Sequence, residues 1–273
     1  MTTTQVTSKD GSTITVETTG QGPTVVLVGG AFNDRSTVAG VAAVLAPHFT
    51  AVTYDRRGRG DSTDLAVAAG LGFQVQNEID DLAAVIEHVG GHAALFGHSS
   101  GAILCLEAAL AGLPVDAVAV YEPPFRADPE LPHPPADILE RITAAAEKGD
   151  RDGAASLFLG EAVGVPAEAV AGMKQGPEWA FLADKALSLP YDVALSQPWE
   201  PAGGERLAAL TVPVLAVYGD QTAPGLRAGT EFVAESVPGA QLVVLPGEDH
   251  SVLRNPGALE PALHTFFSPQ SQG

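Results

Sequence analysis

The 273-residue chain predicts an α/β fold, a mostly parallel twisted sheet with helices on both faces and a helical insertion. Three observations predict it. Short, continuous apolar runs, of which Thr24-Val25-Val26-Leu27-Val28 is the clearest, suit strands buried on both faces, the habit of parallel sheets. These runs alternate with helical segments, as in a sheet covered by its own crossovers. The alternation then breaks at a proline-rich stretch and resumes near Val212.

Taken in order, Gln5-Val6-Thr7 and Thr13-Ile14-Thr15-Val16 flank the turn residues Lys9-Asp10-Gly11 and read as a hairpin. After the strand at 24–28, residues 37–46 look helical, and Thr50-Ala51-Val52-Thr53-Tyr54 is the next strand. The spacing of Val75, Ile79, Leu82, Ile86 and Val89 predicts an amphipathic helix over 74–89. Ala93-Ala94-Leu95-Phe96 is a strand, residues 100–111 a strongly apolar helix, and 117–121 another strand. Residues 123–135 carry Pro123, Pro124, Pro129, Pro132, Pro134 and Pro135, which mark a loop leaving the sheet. Residues 136–190 read as short helices without a strand. The strand pattern returns at 212–218, followed by a helix over 226–236, a strand from Gln241 to Leu245 and a final helix over 257–267. The organisation expected is therefore a core domain of residues 1–127 and 206–273, with 128–205 as a helical insertion. Ligands of such sheets bind beyond the carboxyl ends of the strands, so an insertion leaving a strand there would lie over the site as a lid.

The composition narrows the function classes. Apolar residues make up 45% of the chain, enough for a packed interior. A net charge of −19, from 14 basic and 33 acidic residues, repels phosphate backbones and anionic lipid, so neither nucleic acid nor a membrane is an expected partner. The same charge slows the approach of anionic substrates. Cys105 stands alone, which leaves no internal disulfide and no multi-cysteine metal site, and a cytoplasmic location is expected. Met1-Thr2-Thr3-Thr4-Gln5 shows no basic region followed by an apolar run, so no signal peptide is expected. No stretch reaches the ~20 charge-free apolar residues of a membrane span. There is no H-E-x-x-H, no G-x-x-x-x-G-K-[ST] and no dinucleotide motif, so no metal or organic cofactor is expected. The expected partner is a small-molecule substrate, and the chain is expected to be a monomer or homodimer.

Gly97-His98-Ser99-Ser100-Gly101 matches G-x-S-x-G, a short motif whose meaning depends on its context. It must follow a strand and open a helix, and here it follows Ala93–Phe96 and opens the helix that starts at Ser100. The glycines are needed because the serine sits in a strained turn, where side chains at the flanks would collide with strand or helix. The turn lifts the Ser99 hydroxyl clear of the backbone and aims the Ser100 amide, at a helix N-terminus, toward a developing oxyanion. A serine nucleophile needs a base, and histidine is the usual one. Of the seven histidines, His250, in Gly247-Glu248-Asp249-His250 just past the last strand, has the required chain position. His98 adjoins the nucleophile but is expected to point away from it along the turn and to be structural, and His264 is expected to pack.

Together with the glycine loop after Val28 and the run Tyr54-Asp55-Arg56-Arg57-Gly58-Arg59-Gly60-Asp61-Ser62, these motifs resemble the α/β-hydrolase superfamily, in its serine-nucleophile, esterase-like branch. The resemblance covers nearly the whole chain outside the insertion. It implies a fold and a Ser–His machinery, and does not imply a substrate. It leaves two candidates for the carboxylate that orients the histidine. Asp220 follows the strand ending at Tyr218, after which many members carry the acid, but it stands directly after Gly219, and the usual position three residues beyond the glycine is Thr222. Glu122 ends the preceding strand, a placement resembling that of haloalkane dehalogenases. A glutamate in so apolar a run is costly to bury without a partner, which favours Glu122 and leaves Asp220 as runner-up.

An acyl-transfer intermediate needs two amide donors. Ser100 is one. Ala31 stands where the family donates the other, although the usual His-Gly pair reads Gly29-Gly30 here. Dehalogenases and epoxide hydrolases of this kind use an aspartate nucleophile, which Ser99 excludes. The expected function is a serine hydrolase of a carboxylic ester, thioester or lactone acting through an acyl-enzyme. The alternatives are a Ser–His–acid enzyme without an acyl intermediate, resembling hydroxynitrile lyases or cofactor-free haloperoxidases, and a non-catalytic binding protein of the same fold. Phe32, Phe125 and Trp179 are the candidate pocket residues. Leu157, Phe158, Leu159, Met173, Phe181, Leu182 and Trp199 are the other large apolar side chains of the insertion, which suggest a mid-sized, neutral, apolar substrate.

Overall fold

The computed structural model describes residues 1–197 and 204–268. The chain opens with the hairpin of β1 (Thr2–Thr7) and β2 (Thr13–Gly20), registered from Thr7 opposite Thr13 to Thr2 opposite Thr18. There follow β3 (Thr24–Val28), α1 (Ala39–Leu45), β4 (Thr50–Tyr54), a short α2 (Leu65–Ala68), α3 (Val75–His88), β5 (Ala93–His98), α4 (Ser100–Leu110) and β6 (Val115–Tyr121). Between β6 and the next strand, the described residues form helices and loops only. These are α5 (Ile138–Glu147), α6 (Arg151–Leu157), α7 (Ala167–Met173), α8 (Trp179–Lys185), α9 (Leu189–Ser196) and α10 (Gly204–Leu207). The chain closes with β7 (Val214–Gly219), α11 (Pro224–Ser236), β8 (Gln241–Leu245) and α12 (Glu260–Phe267). Trp199 lies outside the described residues.

The strands form one sheet in the order β1-β2-β4-β3-β5-β6-β7-β8. β2 pairs antiparallel with both β1 and β4, and every pair from β4 to β8 is parallel. The continuous apolar runs follow from this placement. Alternate residues of a strand face opposite sides, and each side is covered. Val26, Val28, Leu95, Val118, Val120 and Val214 join α3, α4 and α11 in one core, whereas Val25, Leu27, Phe96, Ala119, Leu215 and Val217 join α1 and α12 in the other. Fully burying each Val, Leu or Phe among these contributes about 1.5–3 kcal/mol, so neither face tolerates a polar residue without a partner. The helix α3 buries Ile79, Leu82, Val85 and Ile86 on one stripe and leaves its other face to solvent.

The inserted helices have a core of their own, built from Ile138, Ile142, Ala154, Ala155, Leu159, Trp179, Leu189 and Val193, with Phe32 from the loop after β3 packed into it. α9 carries this layer against α3 and α4, which cover the sheet. The strand order reverses at β3, which has β4 on one side and β5 on the other. Loops leaving the carboxyl ends of β3 and β5 therefore diverge there, which opens a crevice beyond the sheet edge.

Candidate active site

Ser99 follows β5 directly and precedes α4, with φ 57° and ψ −126°. Its amide donates to the Tyr121 carbonyl at 2.9 Å, which ties the turn to the end of β6. The flanking glycines are required by contact. A Cβ on Gly97 would stand 2.5 Å from the Ala102 Cα, and one on Gly101 would stand 2.4 Å from the Val28 carbonyl oxygen. Phe32, Ser99 and Glu122 are the non-glycine residues with positive φ among the described residues, one beyond the end of each of β3, β5 and β6. Such conformations cost about 1–3 kcal/mol each and persist where surrounding structure enforces them.

His250 lies in the loop after β8, and its Nδ1 is 2.7 Å from Glu122 Oε2. Glu122 is fully buried, and its other oxygen accepts the Gly219 amide at 2.9 Å. Because a carboxylate only accepts, the Nδ1 bond assigns the proton of neutral His250 to Nδ1 and leaves a lone pair on Nε2. Asp220 is directed elsewhere. It is exposed, and its Oδ1 accepts the Gly247 amide at 2.8 Å and the Gln221 side-chain amide at 2.9 Å, which closes the loop that leads to His250. Ser99 and His250 line the same cavity. Among the described residues the Ser99 hydroxyl makes no hydrogen bond; such bonds are often long in ligand-free enzymes and tighten when substrate binds.

The ring of His98 lies 4.7 Å, centroid to centroid, from that of His250 and stacks on Tyr121 at 5.8 Å, a structural placement as expected. Its Nε2 donates to the His250 carbonyl at 3.0 Å, while the Tyr121 hydroxyl donates to the Asp249 carbonyl at 2.7 Å. Burial, reinforced by repulsion from His250, pushes the His98 pKa down to about 3, so it is a neutral brace. The two side chains hold the backbone of the histidine loop from below, a role that motif reading missed because it depends on the third dimension. His264 packs edge-on against His48 and Phe49, as expected.

The loop after β3 comes close to Ser99: a Cβ on Gly30 would stand 2.7 Å from Ser99 Cβ. Ala31 and Ser100 both line the cavity. The Ala31 amide takes no backbone acceptor among the described residues, and that of Ser100 belongs to the first turn of α4, where amides lack intrahelical partners. The cavity encloses about 930 Å³ and is lined by loop residues of the main domain and by the inserted helices. Phe32, Phe125, Phe158, Leu159, Phe181 and Leu182 are among its apolar walls. Trp179 is not. Its indole N–H donates to Asp152 at 2.6 Å, and its ring is buried within the core of these helices, so it serves packing. Met173 and Leu157 also lie outside the lining, Met173 on the surface. Among the described residues no group of three or more His, Cys, Asp or Glu side chains is placed to hold a metal ion, and no helix is long and apolar enough to cross a membrane.

Comparison with known proteins gives a consistent picture. A family model described as the alpha/beta hydrolase family matches residues 25–262. A 2-(acetamidomethylene)succinate hydrolase from Mesorhizobium japonicum is 27% identical over 257 residues, covering 88% of this chain and 86% of that protein. Among solved structures, an alpha/beta hydrolase from Sphaerobacter thermophilus superimposes with a TM-score of 0.88 at 42% identity, covering 97% of this chain and all of the other. A thermophilic esterase from Thermogutta terrifontis superimposes with a TM-score of 0.72 at 22% identity, covering 97% of each chain, a likeness of fold. With a matched model that spans the sheet from β3 to the last helix, the chain belongs to the alpha/beta hydrolase family of enzymes.

Proposed function

We propose that the enzyme is a serine hydrolase that cleaves a carboxylic ester, thioester or lactone of a small to mid-sized apolar substrate through an acyl-enzyme. The observation that carries this reading is the 2.7 Å contact between His250 Nδ1 and the buried Glu122, on the same cavity as Ser99. That contact leaves Nε2 as the base. Ser99 Oγ attacks the carbonyl carbon as His250 takes its proton, and the Ala31 and Ser100 amides receive the oxyanion. His250 then protonates the leaving alcohol, and water repeats the sequence to release the acid. The inserted helices act as a lid over the crevice and supply the apolar wall that receives the substrate. All of these groups come from one chain. The predominantly apolar lining and the charge of −19 favour a neutral substrate, unlike the succinate in the name of the Mesorhizobium relative.

A lyase without an acyl intermediate would want a cation near the leaving group. Lys174 and Lys185 do not line the cavity: Lys185 pairs with Asp34 at 3.0 Å, and Lys174 lies over the Trp179 ring. The cations that do line it, among the described residues, are Arg126, which donates to the Ala162 carbonyl at 2.8 Å, and Arg254, which pairs with Glu178 at 3.4 Å, so ester turnover decides between hydrolysis and a lyase. The test is a series of p-nitrophenyl esters of rising acyl length, together with a fluorophosphonate probe. Turnover with an optimum at a short or medium acyl chain is expected, with covalent labelling mapped to Ser99. A protein that turns over none of the esters and takes no label would end the proposal. Asp220→Asn is expected to lower kcat by less than about tenfold, the scale of one lost hydrogen bond in the histidine loop. A much larger loss would move the acid's role to Asp220.

A further inference from the structure

The loop after β4 carries three of the chain's 14 basic residues within four positions, Arg56, Arg57 and Arg59. All three are buried. Arg57 is taken up by Asp81 through two contacts of 2.7 Å and serves to anchor α3. The other two turn toward the oxyanion loop. Arg59 donates to the Gly30 carbonyl at 2.6 Å, to the Asn33 carbonyl at 3.3 Å and to Ser188 at 2.9 Å. Arg56 donates to the Gly29 carbonyl at 3.2 Å and pairs with Glu78 through two contacts of 2.6 Å. One carboxylate from the inserted helices bridges them: Asp192, on α9, takes Arg59 at 2.6 Å on one oxygen and Arg56 at 2.8 Å on the other. The Ser100 hydroxyl donates to the same carboxylate at 2.6 Å. Two arginines and two carboxylates balance in charge, which a cluster with almost no solvent exposure requires.

We infer that Arg59, held by Asp192, is a positioning residue that aims the Ala31 amide into the oxyanion site, and that Asp192 thereby couples the inserted helices to both oxyanion donors. The inference rests on the acyl-transfer reading above. Its geometry is that of the peptide unit. In a trans peptide the carbonyl and the N–H point in opposite directions. The Gly30 carbonyl and the Ala31 N–H belong to one such unit, so a carbonyl pinned to the buried Arg59 turns the N–H away from the arginine and toward the cavity that Ala31 lines. The other donor, Ser100, is fixed through its hydroxyl to the same Asp192. Burial works against ionisation of Asp192, but Arg59, Arg56 and the Ser100 hydroxyl outweigh it and hold its pKa below the ordinary carboxylate value, so the bridge stays charged. A usual family histidine is missing from the oxyanion loop at Gly29, and this network holds the loop together with Asn33, whose backbone amide donates to the Gly30 carbonyl at 3.2 Å and whose Oδ1 accepts the Gly30 amide at 3.0 Å.

The test compares Arg59→Lys and Asp192→Asn with wild type in p-nitrophenyl ester turnover, per active site titrated by fluorophosphonate. Lysine keeps the charge but has one nitrogen, which cannot reach Gly30, Ser188 and Asp192 together. Loss of an aimed donor is expected to lower kcat about 100-fold in Arg59→Lys, with KM within about twofold. An alkylboronic acid, whose adduct with Ser99 places an oxygen in the oxyanion site, is expected to bind more weakly by a matching factor. Asp192→Asn is expected to move the same two quantities in the same direction. A purely structural role would instead lower the titrated fraction and the melting temperature while leaving turnover per titrated site and boronate affinity unchanged, and that result overturns the inference. So does a failure of both variants to fold, which would make the network a brace of the whole domain. Absence of label on wild-type Ser99 is a different failure, since it removes the acyl-enzyme reading itself before any Arg59 variant is measured.

Discussion

Ser99→Ala is expected to lower kcat for ester hydrolysis by about 10⁶, the scale seen when a serine nucleophile is removed from a hydrolytic Ser–His pair. The hydroxyl makes no hydrogen bond among the described residues, so its loss takes no packing or bonding from the fold, and the melting temperature should stay at the wild-type value. Alanine also accepts the left-handed backbone at this position no worse than serine does. The covalent probe should label wild type and leave Ser99→Ala unlabelled. His250→Ala is expected to lose as much, because proton removal and attack are one event. The double variant should then be no slower than either single one. Label that persists without the hydroxyl, or a double variant far slower than both, would place the nucleophile or its base elsewhere.

Glu122→Gln is expected to cost about 10⁴ in kcat, comparable to the Asp-to-Asn change in a serine protease. Glutamine fills the same space, and its carbonyl oxygen can still accept the Gly219 amide that Glu122 Oε1 accepts at 2.9 Å. The remaining amide nitrogen then faces His250 Nδ1. A donor there makes Nδ1 the acceptor and moves the ring proton to Nε2, so the lone pair that should take the Ser99 proton is gone. KM should change little, since the carboxylate lies beneath the histidine, away from substrate. Nitrogen-15 chemical shifts of the His250 ring would report the tautomer directly: protonated Nδ1 in wild type, protonated Nε2 in the variant. A variant that retains both the wild-type tautomer and the wild-type rate would remove Glu122 from the mechanism.

Much of this arrangement is legible in one dimension, and the parts that are not share a cause. Thr24–Val28, Ala93–Phe96 and Val214–Tyr218 announce strands buried on two faces because alternate residues join different cores, which leaves no polar position to break the run. The Ser99 turn and the His250 loop are readable because each is punctuated by glycines and lies at a fixed place relative to a strand. The choice between Glu122 and Asp220 needed a burial argument, and the structure brings the first to His250 while the second closes a surface turn. The structural role of His98 is legible beside the motif, but its partners depend on where the last loop returns. Trp179 looked like a pocket wall because size and apolarity are shared by linings and cores alike; the Asp152 partner that draws it inward lies 27 positions away. Asp192 is the plainest omission. Its apolar neighbours Leu189, Tyr191, Val193 and Leu195 point to burial, but its partners Arg56 and Arg59 stand more than 130 positions earlier. A signal did exist: three arginines packed into a short loop of so acidic a chain, next to an apolar strand, have to find carboxylates somewhere.

The three left-handed residues beyond β3, β5 and β6 set thermal endurance and chemistry against each other at known addresses. Glycine at 99 or 122 would relax the backbone and, judged by melting alone, count as an improvement, yet it would delete the side chain proposed as nucleophile or the carboxylate proposed to orient its base. Only Phe32, whose ring packs edge-on against Phe158, holds its conformation for reasons of shape. A lineage adapting this enzyme to heat therefore has no freedom at the two positions where relief would be greatest. It must gain its stability in the amino-terminal hairpin, the outer faces of the helices or the surface loops, and divergence among relatives living at different temperatures should collect there while the ends of the central strands stay still.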